Sequence, residues 1–158
     1  MTSFIFPTEI SKNSNLTPAV CKIFFSLQED IDAISSIPDR FHRHVDFKSG
    51  KTWSEIYFTP GSAEFTEKPK DNDAGELIEQ SLKFIFPGED DTNLADLDAI
   101  RARPVLVSIQ YSDGESKLMG DLANGAKITQ VSQVSSKATG AQIEFYCLTP
   151  DRACWITA

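Results

Sequence analysis

The chain has 158 residues, of which 41% are apolar and 24% charged, with 15 Lys and Arg against 23 Asp and Glu and a formal net charge of −8. A chain of this length forms one domain and buries roughly two-thirds of its unfolded surface, so neither a metal nor a disulfide is needed to hold it. The acidic balance argues against sequence-specific nucleic-acid binding, because affinity for phosphates comes from clustered Lys and Arg.

Three cysteines, Cys21, Cys147 and Cys154, show no CxxC spacing, and an odd count fits reduced thiols in a cytosolic protein. The start, Met1-Thr-Ser-Phe-Ile-Phe-Pro7, has no basic segment or continuous apolar core, so no signal peptide is expected. No apolar run approaches the ~20 residues of a membrane span.

Residues 1–17 are polar apart from Phe4, Ile5 and Phe6 and read as an N-terminal arm, leaving 18–158 as a single β-rich domain. Phe-Ile-Phe-Pro recurs at 84–87, but the flanking residues do not match and it is no repeat. Val20–Leu27 reads as a first strand. From Gln28 to Pro38, Ile31, Ile34 and Ile37 recur at spacing three, which predicts a short helical turn or a tucked loop.

Phe41–Phe47 and Lys51–Phe58 flank Lys48-Ser49-Gly50 and predict a hairpin, with Trp53 and Tyr57 on one face and Ile56 and Phe58 on the other. Pro60-Gly61 turns the chain into a short strand, Ala63–Lys68. Lys68–Gly75 is the most polar stretch and predicts a mobile loop. Its Asp71-x-Asp73-x-Gly75 echoes a calcium loop but lacks the closing Glu. Ile78, Leu82, Phe84 and Phe86 then alternate with Glu79, Ser81 and Lys83, a half-buried strand over 76–86 that Pro87-Gly88 ends.

One helix is expected, Asn93–Arg103. Thr92 suits its cap, Asp90, Asp91 and Asp96 its positive end, and Arg101 and Arg103 its negative end. Leu94, Leu97 and Ile100 form one narrow stripe, and Pro104 stops the run. Val105–Tyr111 and a strand into Met119-Gly120 enclose Asp113-Gly114, a strong signal for a tight hairpin. Ala126–Val134 and Ala141–Leu148 make the next pair, with Ile143, Phe145 and Cys147 on one face, and Ala153–Thr157 adds a closing strand. The count is about eight strands and one helix: a β-sandwich or barrel with a flanking α-helix.

The residues offer little chemistry. His42 and His44 share a strand face but have Arg43 between them and no third ligand nearby. Glu89-Asp90-Asp91 complements a helix start better than it forms a carboxylate pair. No Ser sits in a G-x-S-x-G elbow and no glycine-rich loop links strand to helix. Asn15-Leu16-Thr17 matches a glycosylation acceptor without a secretion signal. No catalytic, cofactor-binding or metal-binding residue is assigned, and no cofactor is expected.

Taken in order, several segments resemble a family of phage and prophage tail proteins. They are Gly50-Lys-Thr-Trp53-x-x-Ile56, Pro60-Gly61-Ser-Ala-x-Phe65, Ala74-Gly75 leading into a long strand, the helix, the Asp113-Gly114 hairpin closing on Leu118-Met-Gly120, and a final strand over Ala141–Tyr146. The resemblance spans roughly Cys21 to Ile156. It implies a tail-tube fold whose subunits self-associate into rings, with arms or loops bridging copies and other tail proteins as partners. It implies no catalytic residues, and a location that is cytoplasmic during assembly and then a virion or phage-like particle.

Two readings follow: a self-assembling structural component of a tail tube or neck, or a monomeric β-sandwich binding module that recognises a protein or carbohydrate. Exposed aromatics discriminate between them. In a ring protein they lie at edges and contacts; in a binding module Trp53, Tyr57 or Trp155 would gather around one concave patch.

Overall fold

The computed structural model describes residues 19–36, 42–73, 75–87, 98–101, 103–134 and 139–156. They form a mainly β structure of two packed sheets with one short helical stretch, residues 98–101, against the core. The strands are β1 Val20–Leu27, β2 Ile31–Ser36, β3 His42–Phe47, β4 Ser54–Ile56, β5 Glu64–Asn72, β6 Gly75–Pro87, β7 Val105–Tyr111, β8 Ser116–Met119, β9 Lys127–Val134, β10 Thr139–Thr149 and β11 Cys154–Ile156. That is eleven strands among the described residues, more than the eight or so expected. The larger sheet runs β2-β3-β11-β8-β7-β1-β4 and the smaller β5-β6-β10-β9.

The main core lies between the sheets. Ile23, Val105, Val107, Ile109 and Met119 of the larger sheet meet Leu82, Phe84, Ile143 and Phe145 of the smaller, each no more than 1% exposed. Full burial of such a side chain contributes about 1.5–3 kcal/mol. Phe84 packs on Phe145 with ring centroids 5.9 Å apart and on Phe58 at 6.1 Å. The alternation expected in β6 and β10 places these residues inward. Ile100 of the helical stretch packs against the same core. Arg103, expected as the last helical residue, is already a bend, and residues 92–97 and 102, with the expected Thr92 cap, lie outside the described residues.

Strand β7 is buried on both faces from Val105 to Ile109, with Ser108 as the one polar residue of that run. Leu106, with Leu118 of β8, points away from the main core into a second cluster with Ile31. Ile34, Val45, Phe47, Trp53 and Ile156 surround it, so the larger sheet curls until β2 and β3 cover its own outer face.

Three expectations are corrected here. Residues 28–36 are not a helical turn or loop throughout: only Gln28–Asp30 make a 3-10 turn, and Ile31–Ser36 is strand β2. The spacing of three arises from a bulge. Ile31 pairs with Phe47 and Ile34 with Val45, but the register shifts between Ile31 and Ala33. One extra residue at Asp32 returns Ile34 to the face of Ile31. Second, β3 and β4 do not form a hairpin. β3 pairs antiparallel with β2 and parallel with β11, while β4 pairs with β1. Ile56 and Phe58 are nonetheless both buried, as their shared face required.

Third, the polar stretch is not a loop from Lys68 to Asn72 but the end of a strand. β5 continues to Asn72 and pairs with β6 down to Asn72↔Gly75. β10 reaches only as far as Thr149↔Ile78, so the pairs Lys70↔Leu77 and Asp71↔Glu76 project beyond the third strand. The Asp113-Gly114 hairpin forms between β7 and β8, but with three residues in its loop instead of two. Gly114 N–H donates to the Tyr111 carbonyl at 3.0 Å, and Gly114 takes φ +90°, the left-handed residue that closes such a loop.

Candidate interaction surfaces

A concavity of about 690 Å³ opens where β11 lies between β8 and β3. Trp155 forms part of its wall, with Tyr111 edge-on at 6.1 Å and Lys117 Nζ 4.9 Å above the indole. Glu67 reaches in from β5 of the other sheet. Its carboxylate accepts the Ala153 N–H at 2.9 Å and lies 3.9 Å from Lys117 Nζ. Arg43, Asp151, Arg152 and Cys154 complete the lining. Burial and the nearby Glu67 and Asp113 carboxylates raise the Tyr111 hydroxyl above its ordinary pKa. The sequence offered no sign of this cluster beyond Trp155, because its members come from four distant segments that only the sheet order unites.

A second groove, of about 450 Å³, runs beside the start of β1. Ala19 to Lys22, Tyr57 and Pro60 line it. Here β4 ends at Ile56 and the chain crosses to the smaller sheet, where Thr59 N–H donates to the Ile85 carbonyl at 2.8 Å. Tyr57 is left 65% exposed beside this margin.

The three aromatics singled out in the sequence therefore occupy three places. Trp53 packs edge-on against Phe47 at 5.2 Å in the second core cluster, Tyr57 stands at the β1–β4 margin, and Trp155 lines the large groove.

His42 and His44 lie two apart on β3, and His44 Nε2 is 3.0 Å from Asp46 Oδ1. Asp71 and Asp73 sit at the projecting hairpin end. Among the described residues no group of three or more His, Cys, Asp or Glu is placed to hold a metal ion. Glu89-Asp90-Asp91 and Asn15-Leu16-Thr17 lie outside the described residues. Cys147 is a buried core thiol, pushed up to about 12 by burial, with Asp121 and Glu67 adding to the shift. Its S–H donates to Gln80 Oε1 at 3.3 Å.

The outer face of the smaller sheet is a polar ladder. Tyr146 of β10 donates to Glu79 of β6, and Lys68 Nζ of β5 lies 3.5 Å from the same carboxylate. The Tyr146 hydrogen bond chiefly lowers the Glu79 pKa, while partial burial and then Glu79 itself raise Tyr146 to about 12. Ser81 Oγ donates to Glu144 Oε1 at 2.9 Å on the same face. Such a sheet faces water on one side and core on the other. No helix among the described residues is long and apolar enough to cross a membrane. Comparison with protein-family models, with curated proteins and with solved structures finds no match.

Proposed function

We propose that this chain is a non-enzymatic structural protein that self-assembles as a tube or neck component of a phage or prophage tail, with other tail proteins as partners. It would be cytoplasmic during assembly and part of the particle afterwards. The observation that carries this reading is the β5–β6 hairpin, which projects beyond β10 with a polar end from Lys70 to Glu76. Such an extension buries little of its own chain's core, and contact with a neighbouring copy would repay its ordering. The ordered series of turn and packing motifs that resembles tail proteins adds to it. The net charge of −8 suits a wall past which DNA moves without being gripped.

The test is light scattering coupled to size exclusion over a wide concentration range, with negative-stain images of the same fractions. Rings or tubes are expected. A strict monomer at the highest concentration would favour a second reading, a monomeric module that binds a protein or carbohydrate. The groove at Trp155 supports that alternative, and ligand titrations followed by indole fluorescence would address it.

A further inference from the structure

Lys117 of β8 carries its ammonium on a largely buried side chain, only 26% exposed. Its Nζ lies 4.9 Å above the Trp155 indole and 6.0 Å from the centre of the Phe65 ring. Two rings beside a buried stem fix where that charge sits. Its ion-pair partner among the described residues, Glu67 Oε1, is 3.9 Å away, beyond hydrogen-bond reach. The other Glu67 oxygen is taken by the Ala153 N–H. Among the described residues the ammonium therefore has electrostatic neighbours but no hydrogen-bond acceptor. Such a cation is poorly satisfied until something accepts from its donors.

Lys117 lines the concavity of about 690 Å³ beside Trp155, a volume within the range of small-ligand sites. Arg152 lines it too. It is exposed, and among the described residues its guanidinium has no paired carboxylate. Arg43 is the third cation there, and its Nη1 donates to the His42 carbonyl at 3.1 Å. Against these three stand two carboxylates, Glu67 and Asp151, so the lining carries one net positive charge. The chain as a whole carries −8.

That balance selects the ligand. A single carboxylate neutralises the site, whereas a phosphate monoester carries about −1.5 to −2 and meets repulsion from Glu67 and Asp151. One face of the indole is already taken by Lys117, and Tyr111 packs against the ring at 65°, so a neutral sugar has less of it to stack on. Trp155, Ala153 and Cys154 supply wall for a hydrocarbon body. We propose that this concavity binds a small organic acid. Its carboxylate accepts from Lys117 Nζ and the Arg152 guanidinium, and its apolar part lies against Trp155. A tail subunit and a monomer could each hold such a ligand, so the site stands apart from the tail reading.

The test is titration of the full chain with phenylacetate, followed by proton–nitrogen correlation spectra that resolve the indole N–H groups of Trp53 and Trp155. Trp155→Phe assigns them. Saturable shifts of the Trp155 indole and the Ala153 amide are expected, with a Kd on the order of millimolar, as suits so small a ligand. The neutral phenylacetamide should bind about tenfold more weakly, and phenyl phosphate no more tightly than phenylacetate. Lys117→Met keeps an apolar stem between the two rings and removes the charge. Arg152→Gln changes an exposed side chain and leaves the fold intact. Each should weaken phenylacetate by about five- to tenfold and leave phenylacetamide unchanged. Glu67→Gln keeps an acceptor for Ala153 but removes a competing negative charge, so it should tighten phenylacetate. A merely structural role for these side chains predicts neither the opposite signs nor the sparing of the amide.

No saturable shift at Trp155 up to about 20 mM phenylacetate overturns the proposal. So do equal affinities for the acid and the amide, or tighter binding of phenyl phosphate than of phenylacetate. Unchanged phenylacetate affinity in both Lys117→Met and Arg152→Gln does the same. Rings that form from a chain unable to bind phenylacetate would support the tail reading and refute this one. Charge-dependent, saturable binding by a strict monomer would do the reverse.

Discussion

Gln80 occupies an inward position of β6 between Ile78 and Leu82 and is 2% exposed. Its Oε1 accepts the Gly120 N–H at 3.1 Å and the Cys147 S–H, so a polar side chain in an apolar row satisfies a backbone donor of the facing sheet. Gln80→Leu keeps the volume but strands that amide, and urea unfolding should show a loss of about 1–3 kcal/mol. An unchanged midpoint would mean that Gly120 finds another acceptor. Cys147 beside it has its pKa raised from 9.0 to about 12 by burial. A raised value means that its contribution is complete below the unfolded value and is lost as pH climbs toward the folded one. Tyr146, raised from 10.0 to about 12, adds to the same alkaline loss. Glu79 has the opposite sign: its lowered pKa stabilises above the ordinary carboxylate range and fades as pH falls through the folded value. Melting temperature should therefore decline above about pH 9, less steeply in Cys147→Ala. In thiol titration at neutral pH, exposed Cys21 should react at once and Cys147 only on unfolding. Equal rates would show that the core is open.

At the scale of elements, the β2 bulge is a device with a measurable consequence. Deleting Asp32 would shift the register and turn Ile34 away from Leu106 and Leu118, at a cost of about 2 kcal/mol. Asp32→Ala, at an exposed position, should stay within about 0.5 kcal/mol of the parent. Comparable losses in the two variants would place the effect in the side chain instead of the register. The β7–β8 hairpin depends in turn on Gly114 at φ +90°. No atom lies within 4 Å of a Cβ built there, so Gly114→Ala tests conformation alone and should cost about 1–2 kcal/mol by chemical denaturation. A neutral result would show that the loop relaxes. Both elements explain how far the chain could be read locally. The Asp113-Gly114 pair announced its hairpin, whereas the isoleucine spacing concealed a strand, because a bulge imitates helical periodicity over so short a segment.

For the whole molecule, the proposed assembly places the bridging contacts in residues 1–17 and in the projecting end of the β5–β6 hairpin. Deleting 1–17, or replacing 70–75 with a two-residue turn, should leave cooperative unfolding intact and abolish polymerisation in negative-stain images. Normal tubes from both variants would remove those segments as bridges. Stoichiometric zinc or calcium should shift the melting temperature by less than about one degree. A shift of several degrees would bring His42 and His44, or Asp71 and Asp73, back as ligands.

Residue order by itself determined the β-rich class, the inward faces of β6 and β10, the turns at Pro60-Gly61 and Asp113-Gly114, and the buried state of Cys147. These rest on alternation and turn chemistry, which act within a few residues. Pairing partners were decided only in three dimensions. The 41–58 segments look like a hairpin locally, yet β3 finds β11 from the far end of the chain and β4 finds β1. The hairpin end at 68–72 has no apolar alternation to reveal it as a strand, since its backbone is held by pairing with β6 and not by burial. The charged groove at Trp155 likewise exists only because sheet order brings β5, β8, β11 and the turn before β11 together. Local periodicity carries the face of a strand, but its neighbour is set by which buried surfaces fit together, a property of the whole core.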